Sequence, residues 1–382
     1  MIGRVHLDHA AGTAVSPAAR AALLDALELT GNPSSLHASG RVARRVLEES
    51  RESLAASLGA HPTEVVLTSG GTEADNLALR GSWLARRAGG RDAVAVSAVE
   101  HPAVLETAAA LRAEGAAVVE LAVGADATVR EEAWAGLDQR VAVASVMWVN
   151  NETGTVQPVD RLVEAARRVG AWSHSDAVQA VGVEDVGFAA SGLDLLSVSG
   201  HKLGAPVGIG ALLVRREVGL QPVAWGGGQE RDLRSGTVPV ALAAALAAAC
   251  ADVVAARVRR TAALTGLRTR LLDGLAASGL GGVHVHGGPR TSPAIVMLGF
   301  DGLRADDLLM LLDAAGVDCS TGSACSAGVV GPSPVLLATG LDEAAASAAV
   351  RFSFGATSSG SDVDALLTAL PDAVARARAV HG

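Results

Sequence analysis

Short apolar runs, Gly- or Ser-containing turns and longer Ala- and Leu-rich segments follow one another along this chain, and this rhythm limits its fold more than any other feature. It is typical of α/β proteins, in which a helix connects each pair of parallel strands. The pattern predicts strands at 65–68, 93–97, 117–122, 141–149, 171–176, 193–198 and 209–215. We therefore expect an α/β fold with a mainly parallel, seven-stranded sheet, in which ligands bind at the carboxyl ends of the strands.

The last third of the chain has a different pattern. Pieces that look antiparallel lie at 283–287, 294–300 and 349–355, separated by helices such as 304–315. We expect an N-terminal segment, 1–15, that packs with a small domain, a large domain over 16–261, and a smaller α+β domain over 262–382. Ser16 followed by Pro17 predicts the start of a helix, and 36–58 predicts a long helix that ends at Gly59.

Composition excludes several classes of protein. An apolar fraction of 49% with 19% charged residues is that of a folded globular protein. The net charge of -9 disfavours nucleic acid or an anionic membrane as a partner, because both attract clustered Lys and Arg. The longest apolar run, 238–251, is mostly Ala and contains Pro239, so it falls short of the ~20 strongly apolar residues of a membrane span.

The N-terminus and the cysteines bear on location. Asp8 and two histidines stand where a signal peptide would be apolar, so we expect a cytoplasmic protein. Three cysteines make a poor disulfide framework and indicate reduced thiols, at least one of which is a candidate for reactivity.

Lys202 is the only lysine of the chain and follows an apolar strand in a Gly-rich segment, 197–210. Arg stays protonated and cannot form an imine with an aldehyde, so a chain that retains one amine has a candidate for that chemistry. The alternative is an incidental surface lysine in a chain whose codon usage favours Arg.

A candidate phosphate cradle lies at 68–76, between a predicted strand and a predicted helix. Gly70 and Gly71 let the backbone approach an anion, the helix N-terminus offers unpaired N–H groups, and Thr72 offers a hydroxyl. The alternative is a Gly-rich turn kept for packing.

Two further segments hold candidate ring contacts. Asp176 ends a predicted strand, with Gln179 three positions later, and a buried carboxylate there needs a partner such as a protonated ring nitrogen. An N-cap Asp is the alternative. His101, before Pro102, either caps a helix and faces water or lies flat on a cofactor ring.

A lysine for an imine, a phosphate cradle, an acid for a pyridinium and a flat imidazole are what pyridoxal 5′-phosphate requires of a protein. On these motifs, and from Val5 to Asp362, the chain resembles the cysteine desulfurases, which belong to the class V aminotransferase group of fold-type I enzymes. The resemblance implies that Lys202 binds the cofactor aldehyde, Asp176 pairs with the pyridine nitrogen, and Gln179 bonds the ring hydroxyl. It further implies that His101 stacks on the ring and that the phosphate is held by Thr72, Ser199 and His201.

The resemblance also implies a homodimer, in which the segment 231–237 reaches across so that Thr237 touches the phosphate in the partner's site. A nucleophilic thiol separates desulfurases from transaminating relatives, and Cys325 lies among small residues in 320–328, a pattern typical of a flexible loop and similar to the family's long-loop branch. Cys250 and Cys319 lie in apolar settings and are assigned structural roles. Cys319 and Cys325 have no usual zinc spacing, and we expect no metal.

Two residues are candidates for substrate binding. Arg351 alternates with apolar neighbours in 349–355, which by itself is more typical of a solvated charge, and Asn151 lies in a segment typical of turns. The resemblance instead implies that Arg351 binds the substrate α-carboxylate as a fork and that Asn151 lies near the cofactor hydroxyl and the substrate.

The implied reaction is removal of sulfur from L-cysteine, which yields L-alanine and a persulfide on Cys325, with His101 managing the substrate proton. The persulfide sulfur then passes to an acceptor protein of iron–sulfur cluster assembly or of tRNA or cofactor thiolation. Alternatives are a selenocysteine lyase, a β-eliminating or transaminating relative, or an inactive scaffold. Gly12, Ala205 and Asp232 depart from the family pattern, which bears on the shape of the substrate and dimer-facing loops.

Overall fold

The computed structural model describes residues 4–322 and 331–381. In these ranges the strands are β1 (Val5–His6), β2 (Val65–Thr68), β3 (Ala93–Ser97), β4 (Ala117–Leu121), β5 (Val141–Ser145), β6 (Trp172–Asp176), β7 (Leu195–Ser199), β8 (Gly210–Val214), β9 (Val283–His286), β10 (Ile295–Phe300), β11 (Val317–Asp318), β12 (Ser320–Thr321) and β13 (Ala349–Ser353). The helices are α1 (Pro17–Leu27), α2 (Ala38–Ser57), α3 (Gly71–Arg86), α4 (Pro102–Ala113), α5 (Glu131–Trp134), α6 (Val159–Val169), α7 (Phe188–Ser191), α8 (Gly200–Leu203), α9 (Val240–Ala255), α10 (Arg257–Ser278), α11 (Ala305–Ala314), α12 (Pro334–Ala338), α13 (Glu343–Ala346) and α14 (Gly360–His381).

The large sheet has seven strands in the order β2-β8-β7-β6-β5-β3-β4. Only β8 runs antiparallel to its neighbours, β2 and β7, and the other pairs are parallel. The expected α/β fold with a mainly parallel seven-stranded sheet is confirmed. Because β2, β3, β5, β6 and β7 all point the same way, their carboxyl ends meet at one edge of the sheet.

One predicted strand, 141–149, is too long. The regular strand ends at Ser145, and beyond it the amide of Met147 donates to the carboxylate of Glu100 at 2.6 Å. The amide of Trp148 donates to the carbonyl of Asp176 at 2.8 Å. This segment therefore continues alongside β6 to the carboxyl edge of the sheet.

Helix boundaries follow local capping. The predicted start at Ser16 and Pro17 is confirmed, since the Ser16 hydroxyl accepts from the amide of Ala19 at 3.1 Å. The long helix begins at Ala38 and not at Leu36, because His37 takes the cap position and accepts from the amide of Gly40.

A second set of strands lies toward the C-terminus. The order β12-β13-β10-β9 forms an antiparallel sheet of four strands, and β1 pairs in parallel with β11. The hydrophobic core around this C-terminal sheet is separate from the cores of the large sheet and includes Phe300, Phe352 and Phe354, all buried. The chain position at which we propose to divide large from small domain, 262, lies inside α10.

Among the described residues, no single helix is both long enough and apolar enough to span a membrane. Only α9 and α10 together have the length and composition, and they are bent by 70° at the break between them.

Candidate active site

A cavity of about 290 Å³ lies at the carboxyl edge of the large sheet. This is where parallel sheets bind ligands, because the strand ends and the helix N-termini that follow them converge there. The structure brings ten of the candidate residues into its lining: Gly70, Gly71, Thr72, His101, Asn151, Asp176, Gln179, Ser199, His201 and Lys202.

Lys202 lies in α8, a single helical turn that follows β7 directly. Gly204 ends this turn with a left-handed conformation, φ 88°. The half-buried ammonium group of Lys202 donates to the carbonyls of Ala10 and Ala11, the latter at 2.8 Å. The amine is therefore held in the cavity wall by the N-terminal segment.

The candidate phosphate cradle is the N-terminus of α3, a helix of 16 residues that begins at Gly71. No side chain caps this end, so its first N–H groups are available to an anion. A Cβ on Gly71 would lie 3.0 Å from a Val178 methyl and 3.4 Å from the Ser199 Cβ, so a larger residue here would fit tightly against the end of β7. The Ser199 hydroxyl and His201 Nδ1 lie 2.9 Å apart beside it.

Asp176 ends β6 and is 5% exposed. Its Oδ1 accepts from the amide of Val178 at 2.8 Å, so one of its two oxygens caps the following turn, as the alternative interpretation expected. Burial raises the pKa of Asp176, while the neighbouring His101, the hydrogen bond from the Val178 amide and the charge of Lys202 oppose that rise. A carboxylate so deeply buried is stabilised as an anion by a cation placed against it.

His101 caps α4, where its Nδ1 accepts from the amide of Ala103 at 3.1 Å. Burial lowers its pKa, while the charge of Asp176 opposes this. Because Nδ1 accepts from an amide it carries no proton, so the ring is neutral with its proton on Nε2. The His201 pKa falls to about 4, mainly through burial and secondly through the charge of Lys202. Both imidazoles that line the cavity are therefore neutral hydrogen-bonding groups.

Arg351 is 2% exposed and lies on β13, which is covered by β10 on one side and β12 on the other. The alternative of a solvated charge is wrong, because the side chain is buried against Asp8 and the turn at Asn151. The guanidinium donates to the backbone carbonyl of Asn151 at 2.8 Å and to Asp8 at 2.9 Å. Among the described atoms, Nε of Arg351 and Oδ1 of Asn151 are buried without a hydrogen-bond partner.

Three buried titratable groups beneath the cavity escaped the sequence analysis: Asp75, Glu100 and His174. Burial raises the pKa of Asp75 well above its usual value, and the charge of Asp176 adds to this. Burial likewise raises the pKa of Glu100 to about 8. Glu100 stands next to His101 in the sequence, and Asp75 three residues after Thr72, so proximity to the motifs was the available signal.

Two of the described candidates, Arg351 and Thr237, are not among the residues that line this cavity. Thr237 is exposed, in a segment outside the cavity lining. Cys325 lies outside the described residues. Burial raises the pKa of both other thiols, Cys250 and Cys319, to about 12, which leaves them protonated at neutral pH.

The departures from the family pattern are located as follows. Ala205 is buried behind α8, and Gly12 has open space around its Cα. Asp232 has a φ of 57°, a left-handed conformation that favours the glycine more usual at this position.

Comparison with known proteins agrees with this geometry. The model of the family "Aminotransferase class-V" matches residues 5–366. An IscS-like cysteine desulfurase of Mycobacterium tuberculosis is 48% identical over 98% of this chain and 97% of its own length. A cysteine desulfurase of Gluconacetobacter diazotrophicus is 42% identical over 98% of this chain and 94% of its own. A NifS-like protein of known structure superposes with a TM-score of 0.91 at 30% identity, covering 98% of this chain and 100% of that one.

Proposed function

The chain belongs to the class-V aminotransferase family and is a cysteine desulfurase, and from this premise we propose how the residues of its cavity act. The observation that carries the proposal is the position of the only lysine, at the end of β7 in a cavity that also holds a buried Asp and an open helix N-terminus.

The residues of the cavity fit pyridoxal 5′-phosphate. The uncapped end of α3, with Thr72, Ser199 and His201, suits a phosphate. The buried Asp176 suits a protonated ring nitrogen, and the unpartnered Oδ1 of Asn151 suits a donor on the ring or substrate. When bound, this cofactor supplies an electrophilic aldehyde and a ring that withdraws electrons from the amino acid attached to it.

We assign the roles around it as follows. Lys202 holds the aldehyde at rest, and its amine then moves the Cα proton of the substrate. Asp176 keeps the proton on the ring nitrogen, Gln179 bonds the ring hydroxyl, and His101 covers the ring face. We assign the thiol proton of the substrate to Nδ1 of His101, the one basic nitrogen of the neutral ring, which must first release the amide of Ala103.

Arg351 binds the substrate α-carboxylate with Asn151 beside it. Its Nε is the guanidinium position without a partner in the described structure, and its remaining nitrogens already bond Asp8 and the Asn151 carbonyl. A carboxylate that arrives here shares the guanidinium with Asp8, so the substrate meets a positive charge that is already fixed in direction.

The sulfur transfer balances without an external oxidant. The thiolate of Cys325 attacks the substrate sulfur, the S–S bond forms and the Cβ–S bond breaks. The electron pair of that bond goes to carbon, which takes a proton and becomes the methyl group of L-alanine. The thiol and L-cysteine thus yield a persulfide and L-alanine. A sulfur-acceptor protein, a homodimer in which Thr237 completes the partner's site, and a cytoplasmic location belong to the same proposal.

Two variants test it. Borohydride reduction of the yellow holoenzyme should add the mass of the cofactor to the peptide that contains Lys202, and Lys202→Ala should lose both colour and label. Cys325→Ser should keep the absorbance of the cofactor and form no L-alanine from L-cysteine, whereas Cys319→Ala, the control thiol, should form it. L-alanine formed at the normal rate by Cys325→Ser would refute the assigned nucleophile.

A further inference from the structure

Glu152 is a buried carboxylate next to the cavity for which the reaction above has no use. It is 6% exposed and follows Asn151, whose side chain lines the cavity. Its amide donates to Oδ1 of Asn150 at 2.9 Å, in the turn that also receives the bond from Arg351. The same turn therefore directs Asn151 to the cavity and carries Glu152 beside it.

The Glu152 carboxylate contacts the chain on both sides of the segment 323–330. After that segment, the hydroxyl of Ser333 donates to Oε2 at 2.5 Å, and the same hydroxyl accepts from the amide of Leu336 at 3.1 Å. Before it, Gly322 lies so close that a Cβ there would overlap Oε2 and lie 3.1 Å from Cε of Met297. One carboxylate group thus contacts residues on both sides of the segment that contains Cys325.

The position of Gly322 limits where the thiol of Cys325 can go. Cys325 is three residues further along the chain, so its Cα lies within about 11 Å of the Gly322 Cα. If Gly322 moves, the region that the Cys325 thiol can reach moves with it. A misplacement of about 1 Å can slow a reaction between positioned groups by about 100-fold.

Glu152 is also held electrostatically. Burial raises its pKa to about 7, while the Ser333 hydroxyl and the charge of Arg351 oppose that rise. Arg351, on β13, is the cationic group that faces it, so the carboxylate connects the base of the Cys325 segment with the residue assigned to the substrate carboxylate.

We propose that Glu152 is a positioning residue that fixes both ends of the Cys325 segment relative to the Asn151 turn and thereby sets the rate at which the thiol reaches the substrate sulfur. The inference rests on the proposed role of Cys325. It separates two events: amino acid binding in the cavity, which does not need Glu152, and persulfide formation, which does.

The test compares Glu152→Ala, Glu152→Gln and Ser333→Ala in the holoenzyme, with Ser82→Ala as the control for a buried serine on α3 that lacks a partner in the described structure. The affinity for L-alanine, read from the cofactor absorbance, should stay within about twofold in all four. Persulfide formed on Cys325 in a single turnover should slow at least about tenfold in Glu152→Ala and Ser333→Ala, since each loses a buried hydrogen bond to a charged group. Glu152→Gln retains an acceptor and should recover most of the rate.

Two further measurements accompany these rates. In the cofactor-free protein, amide hydrogen exchange at 333–337 should be faster in Ser333→Ala and in Glu152→Ala than in wild type or Ser82→Ala. Gly322→Ala should slow persulfide formation in the wild-type background and have little further effect in the Glu152→Ala background, where the overlapping carboxylate is absent.

The outcomes are distinct. Normal persulfide formation in Ser333→Ala and Gly322→Ala would overturn the inference, and so would an equal loss of L-alanine affinity and persulfide rate, which would assign Glu152 to the cavity. L-alanine formed by Cys325→Ser would instead overturn the proposed function itself.

Discussion

Replacement of Glu230 by Ala should lower the free energy of unfolding by about 3–5 kcal/mol, because it removes the buried anion of the Arg51 guanidinium and leaves only the half-exposed Glu48, 3.3 Å from Nε. Glu230 is 2% exposed and precedes the segment that carries Thr237. Its two oxygens accept from the Arg51 guanidinium at 2.7 Å each, and Oε2 also accepts from the amide of Leu67 on β2 at 2.8 Å.

The magnitude follows from burial. Each of these charge-assisted hydrogen bonds is worth about 1.5–3 kcal/mol when one partner is removed, and the three share one carboxylate, so their losses do not add fully. The Arg51 side chain is 11% exposed, and water therefore cannot easily replace the missing anion. The loss for the group as a whole is that of a broken buried ion pair, about 3–5 kcal/mol.

The matched control is Asp92→Ala. Asp92 binds Arg140 with the same two-bond geometry, at 2.9 and 3.0 Å, but the two side chains are 44% and 59% exposed. Its removal should cost about 0–1 kcal/mol. The assay is urea unfolding of the cofactor-free variants, with an unchanged dependence on denaturant as the sign that only stability has changed. Equal losses for Glu230→Ala and Asp92→Ala would refute the argument from burial.

Two further predictions concern buried carboxyl groups at the cavity, Asp176 in its lining and Glu100 beneath it. Asp176→Asn should slow L-alanine formation by at least about 30-fold through loss of the anion that faces the ring nitrogen, while the cofactor-free protein unfolds at an equal or higher temperature, since a buried carboxylate is gone; a normal rate would contradict the assigned pairing. The pKa of Glu100 is about 8 in the folded protein against 4.5 in the unfolded chain. Between these pH values the folded protein holds a proton that the unfolded chain has lost, so the free energy of unfolding falls as pH rises. Glu100→Gln should make this fall from pH 5 to 8 shallower in urea unfolding, and an unchanged slope would contradict the raised pKa.

Much of the candidate site could be predicted because its residues follow strand ends. Asp176 ends β6, Ser199 ends β7 and Gly71 begins the helix after β2, so the local pattern already assigned them to one edge of the sheet. The boundaries were harder. Beyond Ser145, where β5 ends short of the predicted boundary, the amide of Met147 bonds Glu100, a contact between distant residues.

Other residues could not be assigned from local pattern. Alternation along β13 describes Arg351 equally well as a solvated charge, and only its contacts with Asp8 and the turn at Asn151 show that it is buried. Glu152 looks like one more turn residue until Gly322 and Ser333 are seen against it.

The sequence by itself determined the alternation of strand and helix, the single amine and the order of the motifs, because periodicity and residue chemistry act over a few neighbouring residues. The tertiary structure decided which carboxyls lose their solvent and which charges face each other, as Asp176 and Lys202 do. Burial and pairing depend on contacts between residues far apart in the chain, and these contacts set the free energy of each charge.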